Sequence, residues 1–438
     1  MKHILSNSVF AVALLFICTQ CLAQEAARAE GDWALPYGNL GLDCASSAIA
    51  GANTDLQNAS GVKFFMGYYA DLLTNPYGGD EQGTNYTYEL AYGLNADLEK
   101  SLGWKGAGFT ISGAYTAGAN LSNKIGNFFT ASQSYITAHG AIFYQLFLSQ
   151  KVGLPWDDTL EICMGRMSMA SHFVTLPVFD WLANGAMNSS PQAMFANSPY
   201  SSSPVATWAA YANYETVNDL AFAAGLYQLA PSMHTRDWNG TDFGIGGDDG
   251  YMMMFEAAWR PVFYKENNGG YAGVYKLGGY FFDGYDMTDY SSPAGGTATS
   301  NCGMYLEGQQ QVWVDSSNKL RYVTLWAGAF ASPDNGATQM SIMTFAGVQL
   351  QGFVPCRTFD GIYLSWLSGW FGSDYSNVYS PAQMGFAATS ETVFEVTYVF
   401  QVNEHIFIQP DLQYIFNPYG NPDGNDALVI GGQLTVLF

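Results

Sequence analysis

Acids, amides and a few cations recur at alternate positions along this chain, and their chemistry has to be explained first. Glu256 and Arg260 stand four residues apart, about 13 Å along an extended strand, so each must find its partner elsewhere. Arg166 opens a long polar and aromatic segment that holds Asp180 and Trp181. Two roles are open to it: one side of a transverse charge field against loop acids, or an ion pair tying the segment down. Catalysis has little support. His139, His172, His234 and His405 show no HExxH or comparable spacing, and Ser171 beside His172 is only a sequence neighbour, not a relay. The acids of "HTRDWNGTDFGIGGDDG", Asp237, Asp242, Asp248 and Asp249, lack the glycine of an EF-hand loop. No CxxC or His-rich tract suggests metal, so no catalytic residue, cofactor or metal is expected.

What must position these groups is alternation. In the final stretch Leu428, Ile430, Gly432, Leu434, Val436 and Phe438 face one way, while Gly431, Gln433 and Thr435 face the other; this is the period of a half-buried strand. The same pattern, punctuated by turn residues, marks 61–73, 86–98, 108–118, 140–150, 158–167, 204–214, 219–229, 250–262, 272–284, 301–314, 320–332, 339–351, 360–371, 391–402, 405–416 and 427–438. The total is sixteen, an even number, and 320–332 and 339–351 can be phased either way. Strand parity gathers Lys63, Asp71, Glu89, Asp97, Glu161, Glu256, Arg260, Lys276, Glu307, Gln309, Gln311, Asp411 and Gln413 onto one polar face.

The connections alternate too. Those over 74–85, 119–139, 168–203, 230–249, 285–300, 333–338, 372–390 and 417–426 are mostly long, and the intervening ones are mostly tight. The longest, 168–203, contains Phe173, Phe179 and Trp181 beside His172 and Asp180. A loop of that length in a compact fold is usually functional or disordered, and its aromatics favour folding into the interior.

Composition decides which environment the two faces meet. Charged residues are 12% and aromatics 16%, with 48 glycines; a soluble domain carries about 25% charge. Fifteen Lys and Arg against 37 Asp and Glu give a net charge of −22, which argues against nucleic acid as a partner. "MKHILSNSVFAVALLFICTQCLAQ" has a basic start, an apolar run and small Ala23, so residues 1–23 read as a secretory signal peptide. Beyond it no apolar stretch is long enough for a helical span. A secreted, charge-poor chain rich in Tyr, Phe and Gly fits a transmembrane antiparallel β-barrel, with lipid outside and water inside. The expected division is a periplasmic segment over 24–60 and an outer-membrane barrel over 61–438. Cations gather near the inner turns (Lys100, Lys105, Lys151, Lys265, Lys319, Arg321, Arg357), leaving an acidic outer mouth. Cys44 and Cys356 both fall on the periplasmic side, where a disulfide is chemically allowed; disulfides to other envelope proteins are an equal alternative.

Several pieces resemble one family. "GDW" at 31–33, "YYADLLTNPYGG", "LNADLEKSLGWKGAGFTISG", "YKLGGYFFDG" and "QPDLQYIFNPYGNPDGNDALVIGGQLTVLF" are similar, in order, to the carbohydrate-selective porins of the OprB family. The family's "GDWGGLR" continues here as "GDWALPYG", without the arginine, and the long third loop matches poorly. The resemblance implies passive diffusion of small solutes, monosaccharides first, across an outer membrane, with no enzymatic step. The C-terminal Phe438 resembles the signal by which such barrels are handed to their assembly machinery, and barrels of this size are often homotrimers. Two alternatives stay open: a general or cation-preferring porin for cations or amino acids, and a disulfide-linked structural or adhesive envelope barrel.

Overall fold

A computed structural model describes residues 53, 56–187, 190–264 and 270–438. The expected signal peptide over 1–23, most of the segment 24–60, Cys44 and Lys265 lie outside the described residues. Sixteen long strands form the wall: β1 Val62–Tyr77, β2 Gly83–Asp97, β3 Ala107–Gly118, β4 Gly140–Gly153, β5 Thr159–Met167, β6 Thr207–Glu215, β7 Leu220–Leu229, β8 Gly250–Trp259, β9 Tyr271–Asp289, β10 Gly296–Val314, β11 Tyr322–Ala331, β12 Met340–Gln351, β13 Gly361–Phe371, β14 Ser390–Gln401, β15 Ile406–Phe416 and β16 Ala427–Leu437. Each pairs antiparallel with the next, and β16 pairs with β1. A two-residue strand, Val262–Phe263, pads the inner end of β9. Closure leaves no strand edge, which lipid demands because an unpaired peptide group there costs several kcal/mol.

Alternation sets the two faces as expected. Along β8, Tyr251, Phe255 and Trp259 are exposed on the outside, while Met252, Met254 and Glu256 are buried on the inside. The outward belt is apolar, with Met164 62% and Met304 60% exposed. Tyr68, Tyr86, Tyr88 and Tyr115 form an outward ring cluster with centroid spacings of 5.8–6.3 Å. Trp104, Trp156, Trp259 and Trp313 are exposed near the inner end, where amphipathic rings suit a membrane boundary.

Two outer loops are shorter than the turn residues suggested. Pairing of β1 with β2 runs out to Asn75 and Gly83, and pairing of β9 with β10 resumes past a bulge at Asp283–Met287 to reach Asp289 and Gly296. The first and fifth loops are therefore only 78–82 and 290–295. Glycine, Asp and Ser in "FDGYDMTDYSSPAGG" mark a bulge and a tip here, not one long loop. Inner turns use local capping: Asp97 accepts from Glu99 N (3.0 Å) and Lys100 N (3.2 Å), and Gly103 ends the short helix Leu98–Leu102 at φ 75°, a conformation glycine adopts freely.

The interior is only partly wet. Residues 119–139, 168–187 and 190–206 run inside the barrel and bury Leu121, Phe129, Phe173, Phe179, Leu182 and Met194 against the wall side chains Trp326, Phe330, Met343, Phe345, Leu367 and Val393. Phe179 meets Trp326 and Phe345 edge-on, at 6.0 and 5.7 Å. One sector, β11 to β14, thus has apolar side chains on its lumen face as well as its lipid face.

Candidate functional site

The inward acids and amides divide by what they hold. Among the described residues Glu391, Glu395, Glu256, Gln309 and Asp71 accept backbone N–H groups of the two internal loops. Glu391 on β14 receives Phe128 N (2.7 Å) and Phe129 N (2.8 Å), and Glu395, two steps further along the same face, receives Ala183 N (2.7 Å) and Asn184 N (2.9 Å). Glu256 takes Val174 N at 3.0 Å while Lys276 Nζ sits 3.1 Å away and Tyr305 donates at 2.7 Å. Gln309 takes Val178 N at 3.2 Å, and Gln413 bonds both Asn184 Nδ2 (2.8 Å) and Ala131 O (2.9 Å). Asp71 accepts from Ser132 Oγ, Ser134 N and Gln433 Nε2 at 2.5, 3.2 and 2.7 Å. Asp411 is enclosed by Thr397 (2.7 Å) and Gln413 (2.8 Å). These contacts explain how so acidic a wall can be buried: a loop peptide that loses water must find an acceptor, and a charged acceptor makes the stronger bond.

A second set lines open space. Between the second, third and fourth outer loops lies a cavity of about 400 Å³ bounded by Glu89, Thr130, Gln133, Tyr135, Gln192, Phe195, Tyr200, Ser202, Ser203 and His234. Its floor is the Ser203 Oγ to Glu89 bond of 2.7 Å, so loop three and β2 meet at mid-wall. The His234 imidazole in this cavity has its pKa pushed below the ordinary value by desolvation from the surrounding protein. Further in, Asp180 is exposed on the turn Phe179–Trp181, where the surrounding protein raises its carboxyl above the usual range. The Trp181 ring lies 5.2 Å from that of Phe407. Together these groups give a lumen narrowed by loop three, with hydroxyls, amides and aromatic faces along it and few formal charges.

A closed sixteen-stranded barrel of this build matches known proteins. Residues 81–438 fit the family model described as carbohydrate-selective porin, OprB family. The chain belongs to the OprB family. It is an outer-membrane solute channel that crosses the bilayer as a multi-pass β-barrel. This OprB-family porin is 26% identical to Porin B of Pseudomonas aeruginosa, over 98% of this chain and 96% of that one. It is 22% identical to the putative porin QuiX of Acinetobacter baylyi, over 86% of this chain and 89% of that one. Among solved structures, Pseudomonas putida OprB at high pH superposes with a TM-score of 0.80 at 23% identity, covering 89% of this chain and 97% of its own. That likeness supports the fold.

The OprB-family porin departs from the sequence expectations at three charges. Arg166 does not face the lumen or oppose Asp180. It continues the outward series Ile162 and Met164, is 1% exposed, and donates to the carbonyls of Ala206 (2.9 Å) and Asp242. The fourth loop covers it, with the Phe243 ring 4.8 Å from its guanidinium. Asp97 caps the inner-turn helix and does not line the pore. Arg260 lies at an inner turn on Glu215, 2.9 Å away and half exposed. Lys63 stands exposed near the inner end of β1, and Glu161 lies 4.0 Å from Lys151 at an inner turn. Glu307 is buried, with neither oxygen bonded among the described residues, directly across the strand pair from Lys276. Glu391, Glu395 and Gln349 are inward groups that the parity reading did not include, although each alternates with an apolar neighbour such as Phe394 or Val396; Gln433 lies on the polar face where the alternation of the last strand put it. Of the cysteines, Cys356 occupies an inner turn and Cys302 is exposed on the outward face of β10.

Proposed function

We propose that this porin passes small neutral hydroxylated solutes, monosaccharides first, by passive diffusion. The observation that carries this reading is the outer cavity, where Gln133, Gln192, Thr130, Ser202 and Ser203 stand beside Tyr135, Phe195 and Tyr200 with one carboxylate, Glu89. Hydroxyls and amides exchange hydrogen bonds with a sugar as water would, and aromatic faces replace water over its C–H surface. The names of the relatives, Porin B and OprB, and of the family point the same way. On this reading the protein has no catalytic step.

The test is swelling of liposomes holding the refolded mature protein, comparing arabinose, glucose and a disaccharide with an amino acid and a dicarboxylate of similar size. Fast sugar entry with a sharp fall at the disaccharide supports the proposal. Equal rates for every neutral solute would make it a general porin instead. A cation preference is the second reading, favoured by the net charge of −22 and by exposed Asp237, Asp242 and Asp248 on the fourth loop.

Three assembly proposals complete the reading. Phe438, whose backbone pairs with Met66 at 2.8 and 3.1 Å, serves as the handle for the barrel-assembly machinery. The barrels associate as trimers, which cross-linking in native membranes would detect. A disulfide through Cys44 and Cys356, or to another envelope protein, would appear as a gel band that shifts with reductant.

A further inference from the structure

We infer that the inner half of the lumen holds a second, uncharged subsite for a single sugar ring, between loop three and strands β9 to β12; this rests on the sugar-passing reading above. The site is a cleft of about 180 Å³ lined by Pro177, Val178 and Trp181 of the loop and by Ala272, Val274, Gln309, Gln311, Tyr322, Thr324 and Gln349 of the wall. At about 30 Å³ per water it holds roughly six waters, the scale of one ring.

Each glutamine is already fixed at one end of its amide. Gln309 Oε1 receives Val178 N at 3.2 Å, and Gln311 Oε1 receives Ala272 N at 3.2 Å. Gln349 Nε2 donates to the Tyr363 hydroxyl (2.9 Å), Gln351 Oε1 (3.2 Å) and the Tyr322 hydroxyl (3.4 Å). Gln309 Nε2, Gln311 Nε2, Gln349 Oε1 and Thr324 Oγ1 have no protein partner among the described residues. The cleft therefore presents two amide donors, an amide acceptor and hydroxyls on side chains whose rotamers are set in advance, with the Trp181 indole on its loop side. Preset donors bind without the ordering cost that free side chains incur.

The absence of charge selects the ligand class. No carboxylate, histidine, lysine or arginine lines the cleft among the described residues, and Lys276, one inward step from Val274, is engaged by Glu256 at 3.1 Å. An ion entering would shed water for dipoles alone, whereas a neutral polyol exchanges its hydrogen bonds nearly one for one. Because Val178 and Trp181 supply one side, the subsite exists only while loop three is docked.

The experiment is glucose titration of the ion current through the full mature protein in planar bilayers, for the wild type, Gln311→Ala, Thr324→Val and Glu89→Gln. Unheated gel migration verifies that each barrel is folded. The expected result is a rise of about three- to tenfold in half-saturating glucose for Gln311→Ala and for Thr324→Val, the size of one lost hydrogen bond. Gluconate of equal size should block weakly in every variant. Unchanged half-saturation in both cleft variants, with glucose still binding and Glu89→Gln altered, would overturn the inner subsite and leave the sugar reading standing. A wild type indifferent to glucose would remove both.

Discussion

At the scale of single residues, the inward carboxylates act first as acceptors for loop peptides, and only a few are left to meet solute. Glu395 illustrates the difference. Its bonds to Ala183 N and Asn184 N, at 2.7 and 2.9 Å, hold the apex of loop three to β14. Replacing it by Gln keeps the shape and removes the charge, so docking of the loop should weaken by about 1–2 kcal/mol. Single-channel recordings should show more frequent flickering with the mean open conductance little changed; a trace as quiet as wild type would contradict the anchor role. His172 makes a pH prediction. Burial lowers its pKa from 6.5 to about 4, its Nδ1 has no partner among the described residues, and its ring centroid lies 4.1 Å from that of Tyr211, tilted by 36°. Since the unfolded or undocked form binds the proton more readily, the contribution of His172 is complete above pH 6.5 and is lost as pH falls toward 4. It amounts to roughly 3 kcal/mol. Proteolysis within loop three should accelerate over that window, and a His172→Phe protein should show a flatter profile. Arg166 was legible by the rule that placed the others, since its parity with Ile162 and Met164 puts it outside. What alternation could not supply was the fourth loop covering it, because a contact 76 residues away along the chain leaves no local pattern.

At the scale of elements, the sixteen strands were legible because lipid imposes one constraint on every outward residue. The two strands whose phase was ambiguous, now β11 and β12, were ambiguous for a physical reason. Trp326, Phe330, Met343 and Phe345 face loop three while Leu325 and Ile342 face lipid, so both faces are apolar and the period-two signal fades. That same packing makes Phe179 the keystone of the loop. Phe179→Ala should leave a cavity costing about 3–5 kcal/mol at the site, loosen the loop and raise conductance and the size of sugar admitted. The unheated barrel should still migrate as folded, because strand pairing does not depend on this ring; an unfolded barrel would show that the loop core supports the wall as well. Loop lengths were the least legible feature, since Gly, Asp and Ser mark a bulge within β9 as readily as a loop tip.

At the scale of the whole molecule, charge is distributed by end. The exposed acids of the fourth loop sit at the outer end of the barrel, and Lys100, Lys105, Lys319 and Arg321 cluster at inner turns. A field of this sign should favour cations over anions in the reversal potential at about 0.1 M salt. The preference should shrink toward unity at 1 M, as the screening length falls from about 10 Å to 3 Å. A preference that persisted at 1 M would place the selecting charge inside the constriction instead. The sector with two apolar faces has one more consequence. In a closed barrel lipid covers one side and loop three the other, but before insertion the segments 322–331 and 340–351 have neither cover. A hairpin whose outer half, around Trp326, Phe330, Met343 and Phe345, has so little polar surface to offer water is a template for aggregation. Of all parts of this chain, it is the one for which a periplasmic holdase should compete hardest, and peptides spanning 322–351 should capture such a chaperone more tightly than peptides from the alternating hairpin 406–437.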